Sequence, residues 1–233
     1  MSSPIIPVVT FLESYRGRDK IMRTASFAAC LGSGLTSNSN KELSDKLLKV
    51  MGELSACRTI LRLFDDLSML AVTLGYGTGK KETDLIQRTL SVASNVVNQA
   101  FFPIEHIAWA AEKELISTTA APWWLASLLA WIVSLTINIT KCLRNMVKAQ
   151  MKMMKLSSKR SNVEPFPSES IKDLRKQRNK ECLSVIESVS NLGMAVHWLP
   201  GGYLWSGKLN NTAVGTLGVI ASVIGLLKMT VYK

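Results

Sequence analysis

Catalysis needs nucleophiles, bases or metal ligands at close spacing, and this chain of 233 residues offers few. It has two histidines, His106 and His197. His106 follows Glu105 within an apolar pattern, which reads as a packed or hydrogen-bonded ring rather than a general base. The four cysteines, Cys30, Cys57, Cys142 and Cys182, show neither CxxC nor zinc spacing. They read as reduced, buried small hydrophobes. Arg62-Leu-Phe-Asp-Asp66 could hold an ion pair, but no carboxylate pair has a partner base or nucleophile. Gly75-Tyr-Gly-Thr-Gly79 alternates three glycines, yet no strand precedes it and the GxxxxGK(S/T) spacing is absent. It reads as a turn. No catalytic residue, cofactor site or metal site is expected, and the chain is not expected to be an enzyme.

What remains is positioning in a membrane. Leu115–Thr140 holds no Asp, Glu, Lys, Arg or His. As a helix this run would extend about 39 Å, against a hydrocarbon core of about 30 Å. Within it, Ala121–Thr140 begins with Pro122, suited to a first helical turn, and with Trp123 and Trp124, suited to an aromatic belt. Lys141, Arg144, Lys148, Lys152 and Lys155 follow. A second charge-free run, Leu209–Leu227, is bounded by Lys208 and Lys228. Its Gly218-x-x-x-Ser222 and Ala221-x-x-x-Gly225 are small-xxx-small pairs that let membrane helices approach closely. Gly218, Ala221, Ser222 and Gly225 are therefore the expected span-packing residues. The fold class expected is an all-α membrane protein: an N-terminal amphipathic helical region (1–114), a first span (115–140), a basic inter-span segment (141–208), a second span (209–227) and a short tail (228–233).

The N-terminal region carries a second membrane signal. Leu43, Leu47, Val50, Leu54, Cys57, Leu61 and Phe64 recur at alternating steps of four and three, one apolar stripe on a helix. Lys46 and Arg58 flank it and Arg62 lies further out. Long basic side chains beside such a stripe can reach phosphates while their stems cover acyl chain. Lys46, Arg58 and Arg62 are thus candidate lipid-headgroup contacts, and Leu43, Leu47, Val50, Leu54, Leu61 and Phe64 a candidate membrane-inserting stripe. An ordinary amphipathic helix packing this face into a bundle is the competing reading.

Other elements follow from caps and breakers. Thr10-Phe-Leu-Glu13 predicts a capping box and a helix to about Leu31, stopped at Gly32-Ser-Gly34. In this helix Arg16, Arg18, Lys20, Glu13 and Asp19 are solvated charges or pairs fixing helix to helix. Ser39-Asn-Lys-Glu42 predicts a second box and one helix from about Asn40 to Leu74. A helix over Glu82–Ala100 is expected to end before Pro103, which starts another, Ile104–Leu115. Lys141–Lys155 continues as helix. Ser157–Ser168 is a linker, Ser170–Leu199 a helix, and Pro200-Gly201-Gly202 a turn. Asn138 and Asn210 head Asn-x-Thr triplets, read as chance. The N-terminus lacks the basic and long apolar regions of a signal peptide.

Charge narrows the partners. The net +11 is uneven: residues 1–114 carry thirteen Lys/Arg against twelve Asp/Glu, and residues 141–208 thirteen against five. The excess could attract anionic lipid. No nucleic acid partner is expected, since no aromatic-basic strand or recognition motif accompanies the charge.

Five stretches resemble the peroxin-11 family of peroxisomal membrane proteins, gamma-type members most closely. They are Leu12-Glu-Ser-Tyr-Arg-Gly-Arg-Asp-Lys20, Cys57-Arg-Thr-Ile-Leu-Arg-Leu-Phe-Asp-Asp-Leu67, Pro103-x-Glu-His-x-Ala-Trp-Ala110, Trp123-Trp124 and Ala195-Val-His-Trp-Leu-Pro200. The resemblance implies a multi-pass peroxisomal membrane protein that elongates and divides peroxisomes. It implies that Lys41–Phe64, with the matching Arg58 and Arg62, is the remodelling element. It also implies homo-oligomers or hetero-oligomers with family members, contact with the fission machinery, and both termini in the cytosol. The charge count instead puts residues 141–208 on the cytosolic side by the positive-inside tendency. A channel for small metabolites is the alternative function, against which stands the lack of charges inside the spans.

Overall fold

The structure, a computed structural model, describes residues 5–159 and 168–231, and every regular element there is a helix. Most of the expected linker lies outside the described residues. Helices α1 (Ile5–Glu13) and α2 (Tyr15–Thr36) replace the single helix expected from Thr10. Thr10 is no cap: it lies inside α1 and its hydroxyl donates back to the Ile6 carbonyl. The cap is Ser14, whose Oγ accepts from the Gly17 N–H at 3.1 Å. Gly32 and Gly34 do not stop α2, because both serve close packing: Gly32 meets Leu47, and a Cβ at Gly34 would collide with Thr212.

Helix α3 (Lys41–Arg62) is capped by Asn40 rather than Ser39, with Oδ1 accepting from Leu43 N–H at 2.9 Å. Glu42 turns outward to Lys46 instead of closing a box. The expected long helix breaks at 63–65, where N–H groups of Leu63, Phe64 and Asp65 bond three residues back and tighten the last turn. Helix α4 (Asp66–Tyr76) follows and ends at Gly77, with φ +54. Helix α5 (Leu85–Glu112) runs straight through Pro103, against expectation. A proline inside a helix costs about 3 kcal/mol, and continuous packing of α5 along the next helix outweighs it.

That next helix, α6 (Ala120–Lys159), contains the first apolar run and its basic continuation in one piece, beginning at Ala120 rather than Leu115. Helix α7 (Ser168–His197) and helix α8 (Asn211–Thr230), the second apolar run, complete the fold. Both Asn-x-Thr asparagines have structural work: Asn138 donates to Ser188, and Asn210 caps α8.

Neighbours run antiparallel in the spatial order α3, α2, α8, α7, α6, α5, with α4 on α5. The N-terminal region is thus not a separate layer. Helix α2 lies along α8, and α7 stands between the two helices long and apolar enough to cross a membrane, α6 and α8. The interfaces are small and polar, as membrane-helix contacts favour. Ser33 meets Ser44, Ser26 meets Ser55, and Asn98 accepts from Ser134. Large apolar side chains look outward instead. Leu129, Val133, Leu143, Val147, Met151 and Met154 form one exposed stripe down α6, and Ile220, Val223 and Leu227 another on α8. A small buried core of Cys30, Met194 and Val214 joins α2, α7 and α8. Of the cysteines, Cys30 and Cys142 are buried as expected, but Cys57 and Cys182 are exposed.

Candidate membrane-contact helix and the polar joint behind it

Helix α3 packs largely beside its apolar stripe, which approaches α2 at Leu47 against Gly32. It meets α2 through Ser44, Met51, Ser55 and Arg58, and α5 through Arg62. On a wheel of 100° per residue this face is centred about 100° from the Leu43–Phe64 stripe. The stripe is therefore left half open. Leu43 and Val50 are exposed, as is Phe64 (77%) in the turn just beyond α3, while Leu47, Leu54 and Leu61 are half-buried. Cys57 lies on the same open side.

The basic flank is rearranged. Lys46 stays on the surface, 66% exposed, paired with Glu42 one turn away. Arg58 and Arg62 do not: both turn to carboxylates inside the protein, a correction to their expected place at lipid headgroups. Arg58 Nε donates to Asp19 Oδ1 at 2.7 Å. Arg62 grips Glu105 through Nε at 2.9 Å and NH2 at 2.6 Å, and Glu105 is only 4% exposed. A bidentate guanidinium–carboxylate pair of this kind fixes orientation as well as distance. The cause is the helix face: Arg58 and Arg62 share the Ser44–Ser55 side that faces inward.

These pairs belong to a joint where four helices meet. The Tyr15 hydroxyl donates to Asp65 Oδ2 at 2.9 Å, tying the start of α2 to the turn after α3. Burial, then the Asp65 carboxylate, push the Tyr15 phenol up to about 12. His106 Nδ1 sits 3.2 Å from Asp66 Oδ2, so this ring is held by a carboxylate on α4 rather than by its neighbour Glu105. A second tie lies at the start of α5. Asp84 caps the helix and also receives Arg144 and Lys148 of α6. Those two cations hold its carboxyl well below the usual carboxylate range.

The residues expected to pack spans, Gly218, Ala221, Ser222 and Gly225, lie against α2 and α7. A Cβ at Gly218 would strike the Phe27 ring of α2, and one at Gly225 would approach Lys20 and Glu187. Ser222 accepts from Arg23 Nε at 3.3 Å, and Ala221 is buried beside it. The stripe seats α8 on α2 and α7 rather than on α6. Sequence reasoning singled out Asp19 only within a charged patch and missed the partnership of Tyr15, Arg23, Glu105 and Asn191. Nothing in linear spacing pairs residues forty or more positions apart.

Between α2, α3, α4, α5 and the first half of α6 lies a cavity of about 870 Å³. Parts of all five stretches that carry the family resemblance line it or brace its wall. Arg58 and Arg62, Glu105, Trp124 and Trp198 line it directly, and Tyr15 and Asp19 hold lining residues from behind. Distant in sequence, they meet in space. Among the described residues no group of three or more His, Cys, Asp or Glu could hold a metal.

A family model described as peroxisomal biogenesis factor 11 (PEX11) matches residues 7–230. The peroxisomal membrane protein 11C of Homo sapiens is 35% identical over 218 residues, covering 92% of this chain and 90% of that protein. The protein of the same name from Mus musculus is 37% identical over 216 residues, covering 91% and 89%. No solved structure matches the chain.

Proposed function

This chain belongs to the peroxisomal biogenesis factor 11 family, and from that premise we propose that it elongates and divides peroxisomes by wedging α3 into one leaflet. It is a peroxisomal membrane protein with a part in peroxisome biogenesis. The observation that carries the finer reading is the open stripe of α3. A soluble bundle would turn Leu43, Val50 and Phe64 inward, since burying such a side chain is worth about 1.5–3 kcal/mol. Here α3 packs through serines and arginines and leaves that gain for an outside apolar phase. Inserted at the headgroup–acyl boundary, the stripe expands one leaflet and favours positive curvature. Lys46 stands at its rim within reach of phosphates. Arg58 and Arg62 support the wedge from inside by locking α3 to α2 and α5.

The outward stripes of α6 and α8 root the wedge in the bilayer as two passes, with both termini in the cytosol. Copies of the chain, or other family members, assemble through faces other than the Gly218–Gly225 stripe, which α2 and α7 already cover. The fission machinery acts on the elongated membrane.

The experiment is Leu54→Glu in cells lacking the native protein. Leu54 is central in the stripe and outside the packed face. Peroxisomes should stay round while the variant still resists carbonate extraction. Normal elongation by a membrane-embedded Leu54→Glu chain would remove the wedge.

A further inference from the structure

The cavity behind α3 has no part in the wedge, and its chemistry is specific. Its walls are largely apolar and aromatic, among them Phe27, Phe101, Trp124, Leu128 and Trp131. Three arginines line it: Arg23, Arg58 and Arg62. Two of them sit against carboxylates, Asp19 and Glu105. The third does not. Among the described residues, the hydrogen-bond acceptors of the Arg23 guanidinium are the Asn191 side-chain carbonyl at 2.5 Å and the Ser222 hydroxyl at 3.3 Å, both neutral. Its carbon lies 5.4 Å over the Phe27 ring. A largely covered cation with no carboxylate in contact is costly; the two that attract it, Glu187 and Asp19, are themselves paired with Lys228 and Arg58, and it borders an open-sided cavity within the range of about 300–1,000 Å³ typical of small-molecule sites.

We propose that this cavity binds one single-chain amphiphile, its compact anionic head against Arg23 and its hydrocarbon tail along the Phe101, Trp124, Leu128 and Trp131 wall. One cation with no carboxylate in contact suits one compact anion; a nucleotide would bring several charges and meet Arg58 and Arg62 already paired. Long apolar walls suit a tail rather than a free inorganic ion. The route is also present. Trp124, Leu128 and Trp131 belong to the first half of α6, a helix long and apolar enough to cross a membrane, so a bilayer amphiphile reaches the cavity without crossing water. A carboxylate head and a phosphate head share this chemistry, the first from a free fatty acid and the second from a lysolipid.

The test is native mass spectrometry of the full chain in an uncharged detergent, titrated with dodecanoate, dodecyl phosphate and dodecanol. One saturable adduct is expected with an anionic probe, at least tenfold tighter than with dodecanol. The tighter of the two anions tells fatty acid from lysolipid. Arg23→Ala should weaken the anion at least tenfold, and Arg23→Lys should recover most of it. Leu128→Trp narrows the void without touching the cation and should block all three probes. Far-UV circular dichroism melts establish that each variant is folded. Equal binding of dodecanol and the anions, non-saturable uptake, or unchanged binding in folded Leu128→Trp would each overturn the site.

Discussion

Replacing Arg62 by alanine separates a structural arginine from a lipid-binding one. In the structure the change removes two hydrogen bonds, at 2.6 and 2.9 Å, and strands Glu105, which is 4% exposed. Removing one partner of a buried ion pair costs about 3–5 kcal/mol, mostly because the other charge stays behind. For a chain of this size each kcal/mol moves the melting temperature by about 2–4 °C. Arg62→Ala should therefore melt about 6–20 °C below the parent in an uncharged detergent, followed by circular dichroism. Glu105→Gln should lose less, since a neutral amide still accepts a hydrogen bond. The double variant Arg62→Met/Glu105→Leu should recover most of the loss, because two apolar side chains of similar size leave no stranded charge. Flotation with vesicles containing anionic lipid, run on the folded double variant, should match the parent. An Arg62→Ala protein that melts within about 2 °C of the parent and loses anionic-vesicle binding would refute the assignment and return Arg62 to the membrane surface.

The other contacts give shorter tests. Gly218→Leu forces a side chain into the Phe27 ring and should destabilise by at least the 1–3 kcal/mol or so of an overpacked core, read as faster proteolysis of the N-terminal helices. Asp84 has a folded pKa held below its unfolded value of about 3.9, so its stabilisation is present above that value and is lost as pH falls through and below it. Asp84→Asn should flatten the acid limb of a stability–pH curve, and an unchanged limb would count against the Arg144–Asp84–Lys148 tie. Tyr15 runs the other way. With its phenol raised to about 12, stability is intact below the unfolded value of about 10 and falls as pH rises from there towards 12. Tyr15→Phe should be less stable at neutral pH by about 1 kcal/mol for the lost bond to Asp65 and should show a shallower alkaline limb.

Which parts of this fold were legible follows from what periodicity can encode. The two apolar runs were visible because length and freedom from charge are local properties, and α6 and α8 contain all but their first few residues. The turn at Gly77–Gly79 was visible because only glycine adopts its backbone cheaply, with φ +54 and +67. Caps were legible to within a few residues: Asn40 displaced Ser39 by one and Ser14 displaced Thr10 by four, because several side chains in each stretch could cap and tertiary packing chose. Pro103 misled because a proline fits either a helix start or a tolerated interior site, and only the length of packed helix around it decides.

The deeper illegibility concerns direction. The 3.6-residue period of Leu43–Phe64 fixes which face of α3 is apolar but says nothing about what that face meets. In a protein surrounded by water the apolar face is the packed one, and arginines beside it point to solvent. In a chain that has hydrocarbon for a neighbour, lipid satisfies apolar side chains, while serines, glycines and charged pairs must find one another inside. The Ser33–Ser44 and Ser26–Ser55 contacts, the Phe27–Gly218 approach and the Arg62–Glu105 grip are that inversion, residue by residue. The arginines expected at phosphates are paired with carboxylates on the same helix that leaves its leucine stripe open. Under the proposed wedge, both outcomes follow from one property of the medium that α3 meets.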